Sequence, residues 1–168
     1  MKLLLVRHAI AEDAELFART GGTDAERRLT DIGRKKMRKG ANRLRSQVER
    51  IDVLASSTLL RARETADIIA RAFGDIAVLE RQDLSPHSAL DSLLVWLKAR
   101  PATATVALVG HEPHLSLLIG VLLAGIPRSL LNLKKGGVVL IEFSATVEPG
   151  AGVLRWALTS AQLRSLKD

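Results

Sequence analysis

Lys2-Leu3-Leu4-Leu5-Val6-Arg7-His8 opens the chain and decides its fold. The apolar run at residues 3–6 predicts a β-strand that is buried on both faces of a sheet. Arg7 and His8 follow this run directly, so the strand carries a guanidinium and an imidazole to one edge of the sheet. An arginine can bind a phosphate through two parallel hydrogen bonds, and a histidine can act as a nucleophile.

The same pattern recurs at two later apolar runs. Residues 106–109 are followed by Gly110 and His111, and residues 53–55 are followed by polar residues that include Ser57 and then by Arg61. In an open α/β sheet, ligands bind beyond the carboxyl ends of the strands. The sequence therefore predicts one anion-binding site that is built from several strand ends.

Strand and helix patterns alternate along the whole chain, which favours an α/β fold. We expect a single domain over residues 1–168, with three layers: a mostly parallel central sheet, helices on both faces, and an antiparallel edge. Thr30 and the Ser88-to-Asp91 pair are predicted helix start signals. The predicted strands are residues 2–6, 52–55, 76–79, 105–109, 138–143 and 153–158, and the predicted helices are about 30–48, 59–73, 88–97 and 113–124.

The composition excludes several classes of site. Aromatic residues make up 3% of the chain, so no stacking platform for single-stranded nucleic acid is expected. The absence of cysteine excludes disulfides and thiol catalysis. The longest apolar stretch, residues 115–124, is too short to span a membrane, and the apolar run near the N-terminus is too short for a secretory signal. We therefore expect a cytoplasmic protein without membrane contacts.

The formal net charge is +7, and much of it lies in residues 27–50. This basic stretch has three interpretations: a solvated helix face, a surface for an acidic protein or anionic substrate, or a nucleic-acid contact. For nucleic acid we expect only weak, non-specific association. Lys134 and Lys135 have two interpretations: they are either solvated surface lysines or contacts to an acidic partner.

The candidate site residues each have a structural alternative. Arg61 is predicted in the first turn of a helix whose cap region is Ser57-Thr58, where free N–H groups favour anions. It could instead be a surface arginine that pairs with Glu64 or Thr65. His111 precedes another helix start and could be a capping or core residue. His111 and His114 are three residues apart, but HEPHL is not the zinc signature His-Glu-x-x-His, and no metal is expected.

Four segments in this order resemble the histidine phosphatase superfamily. They are LVRHA at 5–9, RRLTDIG at 27–33, SSTLLRARETA at 56–66 and VGHEP at 109–113. The short chain and the segment LKKGGVVLIEF are similar to the small bacterial branch of that family, the SixA-type phosphohistidine phosphatases. The resemblance extends over residues 2–143 and implies a phosphoglycerate mutase-like fold.

The resemblance also implies a role for each candidate. His8 would be the nucleophile that becomes a phosphohistidine, and water would hydrolyse this intermediate. Arg7, Arg61 and His111 would be three cationic donors to the phosphoryl oxygens, and Ser57 would join them in binding substrate. No cofactor is implied. The implied activity is that of a phosphatase acting on phosphohistidine in a histidine phosphotransfer domain or a phosphocarrier protein.

The chain departs from the family pattern in having no evident general acid. RHA replaces the commoner RHG, and Arg28 stands where proline is frequent. Asp83 is the best candidate for the acid, with a loop-capping role as the alternative. A leaving imidazole, with a pKa of about 6.5, needs less help than an alkoxide, which favours phosphohistidine. The alternatives are a small phosphate ester or phosphorylated metabolite as the substrate, or a phosphate-binding module without turnover.

Overall fold

A computed structural model describes residues 1–167, which contain a six-stranded mixed sheet. The strands, in chain order, are β1 (Lys2–Arg7), β2 (Val53–Ser56), β3 (Val78–Glu80), β4 (Thr105–Gly110), β5 (Val138–Glu142) and β6 (Val153–Leu158). Their order across the sheet is β3-β2-β4-β1-β5-β6. The first four of these are parallel to one another, whereas β5 pairs antiparallel with β1, and the edge strand β6 pairs antiparallel with β5. The predicted fold class is confirmed.

Helices cover both faces of this sheet. They are α1 (Ala14–Ala18), α2 (Asp31–Leu44), α3 (Leu60–Ala72), α4 (Asp91–Lys98), α5 (His114–Ala124) and α6 (Ser160–Ser165), with short 3-10 turns at Asp24–Glu26 and Gln82–Leu84. Successive side chains of a strand point to opposite faces. Accordingly, Leu4 of β1 packs in an apolar cluster with α2, α3 and α6, while Leu3 and Leu5 pack in a second cluster with α4 and α5. No helix among residues 1–167 is long and apolar enough to cross a membrane.

Two predicted helix starts have different outcomes. Thr30 caps α2 as predicted, because its hydroxyl accepts the N–H of Gly33 at 3.0 Å. The start signal at Ser88 is wrong: α4 begins at Asp91 without a side-chain cap, and the Ser88 hydroxyl donates to the carbonyl of Gln82 at 2.9 Å. A capping motif predicts only local contacts, and here the Ser88 hydroxyl bonds instead to the 3-10 turn that precedes α4.

Two helix boundaries and one additional helix differ from the prediction. The helix α2 ends at Leu44 rather than near residue 48, because the chain tightens there into i→i+3 bonds, such as that from the N–H of Gln47 to the carbonyl of Leu44. The helix α3 begins at Leu60, so the predicted cap region Ser57-Thr58 lies before its N-cap. The six-residue α6 was not predicted.

The three central strands bring their carboxyl ends to one edge. Arg7 of β1 lies opposite Gly110 of β4, and Ser56 of β2 lies opposite Val109. Beyond the strands the pairing continues, since the N–H of His8 donates to the carbonyl of Gly110 at 3.0 Å. The strand ends that the sequence identified are therefore neighbours in space.

Candidate active site

A pocket of about 320 Å³ lies at the carboxyl ends of β1, β2 and β4. It is lined by residues at the ends of β1 and β4 and by one residue of α3, the helix that follows β2. The segments before α1, α2, α4 and β5 and the first residue of α1 supply the rest. Its walls are mostly charged or polar. The lining residues are Arg7, His8, Glu12, Asp13, Ala14, Arg27, Arg61, Pro86, His111, Glu112 and Lys135.

His8 is held as a neutral imidazole with one free nitrogen. Its side chain is 5% exposed, and Nδ1 lies 2.7 Å from the carbonyl oxygen of Ala9. A carbonyl only accepts, so Nδ1 carries the proton and Nε2 keeps its lone pair. Burial lowers the pKa of His8 to about 3, against the opposing bond to Ala9 and with help from the positive charges of Arg61 and Arg7. Nε2 is therefore an unprotonated nucleophile at neutral pH.

His111 faces His8, with 5.1 Å between the ring centroids. Its Nε2 lies 2.9 Å from the hydroxyl of Ser57, and that oxygen already accepts the N–H of Leu59 at 3.3 Å. The contact with Ser57 fixes the orientation of the His111 ring, and it leaves Nδ1 as the ring nitrogen without a hydrogen-bond partner. Burial is the main cause that lowers the pKa of His111 to about 2, and the positive charge of Arg61 contributes to this shift.

The neutral state of His111 alters one expectation from the sequence. Three cationic donors were expected around the anion, whereas burial lowers the pKa of His111 to about 2 and its imidazole is neutral at neutral pH. Arg7 and Arg61 keep their positive charges, because a guanidinium stays protonated in proteins even though burial lowers the pKa of both. Ser57 is fully buried and orients His111 by the hydrogen bond described above.

Asp24 and Leu133 hold the two arginines. Nη1 of Arg7 donates to the carbonyl of Leu133 at 2.8 Å. Arg61 is 3% exposed, and it donates from Nη1 to the carbonyl of Asp24 at 2.7 Å and from Nη2 to the Asp24 carboxylate at 2.9 Å. The alternative partner of Arg61, Glu64, instead binds Arg34 at 3.0 Å. The two guanidinium groups are thus oriented by atoms outside the pocket.

Three buried nitrogens around His8 have no partner among the described residues. They are Nε of Arg7, Nε of Arg61 and Nδ1 of His111, one from each strand end or the helix that follows it. A buried donor without a partner costs about 1–3 kcal/mol, so native proteins rarely keep one. Arg7, Arg61 and His111 line the same pocket as His8, and their N–H groups suit an anion with several oxygens, as a phosphoryl group has.

Sequence reasoning missed Asp24. It lies in the 3-10 turn Asp24–Glu26, where Thr23 and Glu26 form a reciprocal capping box. Burial opposes ionisation of Asp24, but hydrogen bonds and charges of Arg27 and Arg61 outweigh it and hold the pKa of Asp24 below its usual value. The capping box signals the turn from sequence, but nothing local signals a contact 37 residues away.

Asp83, the candidate acid, lies outside the pocket wall. Arg81 donates to it from Nε at 2.9 Å and from Nη2 at 2.5 Å, and Ser92 donates at 3.1 Å. Burial would raise the pKa of Asp83, but these hydrogen bonds outweigh burial and lower it. A carboxyl group held in its ionised form is poorly suited to donate a proton. Glu12, Asp13 and Glu112 are the carboxyl groups that do line the pocket.

The basic stretch at residues 27–50 is divided between the pocket and the surface. Arg27 lines the pocket, while Arg34 forms ion pairs with Glu64 and Asp31. The lysines of α2 are exposed, as expected of a solvated helix face. Residues 1–167 contain no group of three or more histidine or acidic side chains arranged to hold a metal ion.

Comparisons with other proteins agree with this architecture. The sequence profile of the histidine phosphatase superfamily (branch 1) matches residues 3–86. An uncharacterised protein of Picosynechococcus sp. is 35% identical over 147 residues, which cover 86% of this chain and 87% of that protein.

Two solved structures are similar over nearly their whole length. The protein histidine phosphatase SixA in complex with tungstate aligns with a TM-score of 0.82 at 23% identity and covers 97% of this chain and 99% of that one. A phosphoserine phosphatase of Entamoeba histolytica in complex with phosphoserine aligns with a TM-score of 0.70 at 19% identity, covering 96% and 98%. At these identities, the two likenesses establish the fold.

Proposed function

This chain belongs to the histidine phosphatase superfamily (branch 1), and we propose that it removes the phosphoryl group from phosphohistidine on a protein. The observation that carries the proposal is the environment of His8. A neutral imidazole with a free Nε2 shares one pocket with Arg7, Arg61 and His111, each of which has a buried side-chain nitrogen without a hydrogen-bond partner. A nucleophile and an anion cradle in one pocket are the two requirements of covalent phosphoryl transfer.

The proposed reaction has two steps. In the first, the lone pair on Nε2 of His8 attacks phosphorus, the bond from phosphorus to the substrate nitrogen breaks, and that nitrogen takes a proton from solvent. In the second, a water oxygen attacks the phosphorus on His8, the Nε2–phosphorus bond breaks, and the water gives up a proton as phosphate forms. The donors of Arg7, Arg61 and His111 stabilise the charge on the phosphoryl oxygens in both steps.

The hydrogen bonding of the acidic residues favours phosphohistidine over an ester. Asp83 is committed to Arg81, and Asp13 caps α1 by accepting the N–H groups of Glu15 and Leu16. A leaving imidazole, with a pKa of about 6.5, can be protonated by solvent, whereas an alkoxide needs a placed acid. The likeness to the protein histidine phosphatase SixA supports the same substrate class.

A small phosphate ester is the alternative substrate, and one observation favours it. Glu12 and Glu112 both line the pocket, and a carboxyl group there is a candidate for protonating a leaving oxygen. Glu112 accepts a hydrogen bond from Ser116 at 2.7 Å, and Glu12 accepts one from the N–H of Arg28 at 2.9 Å. The likeness to a phosphoserine phosphatase agrees with this alternative.

The test compares two substrates with one control variant. Release of phosphate is measured from a histidine-phosphorylated carrier protein and from an aryl phosphate, using the wild type and His8→Ala. Faster release from the protein, lost in His8→Ala, supports the proposal, and the reverse preference supports the ester. No release from either substrate would leave a phosphate-binding module. Arg61→Ala should lower kcat by about 100-fold or more, through lost stabilisation of the transition state.

A further inference from the structure

We propose that Lys135 is a further phosphoryl-binding residue, whose ammonium group donates to a phosphoryl oxygen as the group moves onto His8. This inference rests on the proposed function and adds a cation to its site. Lys135 lines the pocket, whereas the neighbouring Lys134 does not, although both side chains are exposed. The two lysines therefore differ in position and not in charge or exposure.

The backbone fixes Lys135 beside His8. The N–H of Gly137 donates to the carbonyl of Lys134 at 2.8 Å, which closes a turn with Lys135 and Gly136 at its centre. Gly136 has a φ of +70°, as the third residue of a type II turn requires. The N–H of Gly136 also lies 3.1 Å from the carbonyl oxygen of His8. The position of Lys135 thus follows from a turn that is hydrogen-bonded to the nucleophile's own backbone.

Arg7 strengthens the same connection. Its N–H donates to the carbonyl of Gly137 at 3.2 Å, and its Nη1 donates to the carbonyl of Leu133 at 2.8 Å. The segment at residues 133–137 is consequently joined to the end of β1 on both sides of Lys135. The charge of Lys135 also contributes to the lowered pKa of His8, which is consistent with this proximity.

The charges in the pocket indicate why a further cation is needed. A phosphoryl group carries a charge of about −1.5 to −2 at neutral pH. His8 and His111 are neutral, and the charge of Arg61 is partly balanced by the carboxylate of Asp24 at 2.9 Å. Arg7 forms no ion pair within residues 1–167, but the nearby carboxylate of Glu112 acts on its charge and opposes the lowering of its pKa.

Lys135 is better placed than Arg27 to supply the missing charge. Arg27 also lines the pocket, but its Nε binds Asp24 at 2.8 Å and its Nη1 donates to the carbonyl of Glu12 at 2.7 Å. Lys135 has no recorded ion pair in the described part of the chain, so its three N–H donors are available. An ammonium on a flexible stem can follow a phosphoryl group between two positions.

The test compares Lys135→Met with Lys134→Met, which removes the same charge one residue away. Binding of tungstate is measured by calorimetry, and kcat/KM is measured on an aryl phosphate. We expect Lys135→Met to weaken both by about 10- to 100-fold, as expected for one charge-assisted hydrogen bond, and Lys134→Met to change them by much less. Lys135→Arg should recover part of the loss.

Three outcomes would overturn the proposal. One is an equal effect of the two methionine variants, which would indicate a general surface potential. Another is a loss restricted to the phosphorylated protein substrate, with tungstate and the aryl phosphate unaffected, which would make Lys135 a partner contact. The third is absence of tungstate binding by the wild type. If the wild type binds tungstate but hydrolyses neither substrate, the proposed function fails and the calorimetry still tests Lys135.

Discussion

Acidification should destabilise this protein in a pH range where most proteins change little. Burial lowers the pKa of His8 to about 3 and that of His111 to about 2, whereas an unfolded histidine has a pKa of about 6.5. Between these values the unfolded chain binds protons that the folded chain excludes. The free energy of unfolding must therefore fall as the pH falls from about 6.5 towards 3.

The shift of His8 sets the magnitude. A folded pKa of about 3 and an unfolded pKa of about 6.5 correspond to a loss of about 2 kcal/mol between pH 7 and pH 5 for His8 alone. That loss is a large share of a typical stability of about 5–15 kcal/mol. Carboxyl groups with lowered pKa values contribute at lower pH, because their unfolded values lie near about 4.

Urea unfolding of the wild type and of His8→Asn at pH 7 and pH 5 measures this loss. The buffers contain no phosphate or sulfate, because a bound anion would stabilise the folded state. Asparagine retains an N–H that can donate to the carbonyl of Ala9, so the variant removes the titration while keeping that contact. His87→Asn is the matched control, because His87 is an exposed loop residue.

The expected result is a difference between the variants. The stability of His8→Asn should fall by about 2 kcal/mol less than that of the wild type over this range, and His87→Asn should follow the wild type. Equal losses in all three proteins would refute the reasoning, since they would mean that His8 titrates alike in the folded and unfolded states.

Two further substitutions test contacts around the site. Thr65→Val should lower the free energy of unfolding by about 1–3 kcal/mol in urea, because the Thr65 hydroxyl is the buried acceptor for the N–H of Ala9 at 3.1 Å, and Thr65→Ser should restore most of the loss. Asp83→Asn should leave initial rates on an aryl phosphate nearly unchanged, because Asp83 is ion-paired with Arg81 outside the pocket. A loss of about 100-fold or more in Asp83→Asn would instead identify the general acid.

The strand ends of the site were predictable because sequence polarity changes abruptly there. Residues 106–109 are completely buried in β4, and His111 follows within two positions. A parallel strand buried on both faces produces such an apolar run, and its end is where polar groups can first reach solvent. Arg7, His8 and His111 could therefore be assigned to one edge without coordinates.

Contacts between distant segments were not predictable in this way. The pairing of Asp24 with Arg61 joins a surface turn to α3 across 37 residues. The hydroxyl of Ser88 fits a capping motif by local spacing, but its actual partner is the carbonyl of Gln82. The ion pair of Asp83 with Arg81, which disfavours Asp83 as the general acid, was not predictable either, because sequence spacing does not fix the direction of the Arg81 side chain.

The register between β1 and β4 has a consequence for how activity arises during folding. His8 and His111 are separated by most of the chain, and they meet only when Arg7 lies opposite Gly110. A slip of one residue would shift His8 by about 3.3 Å and turn its side chain to the other face of the sheet. Compact intermediates with a slipped register would thus be inert. Regain of turnover after dilution from denaturant reports on correct strand alignment, which collapse alone does not provide.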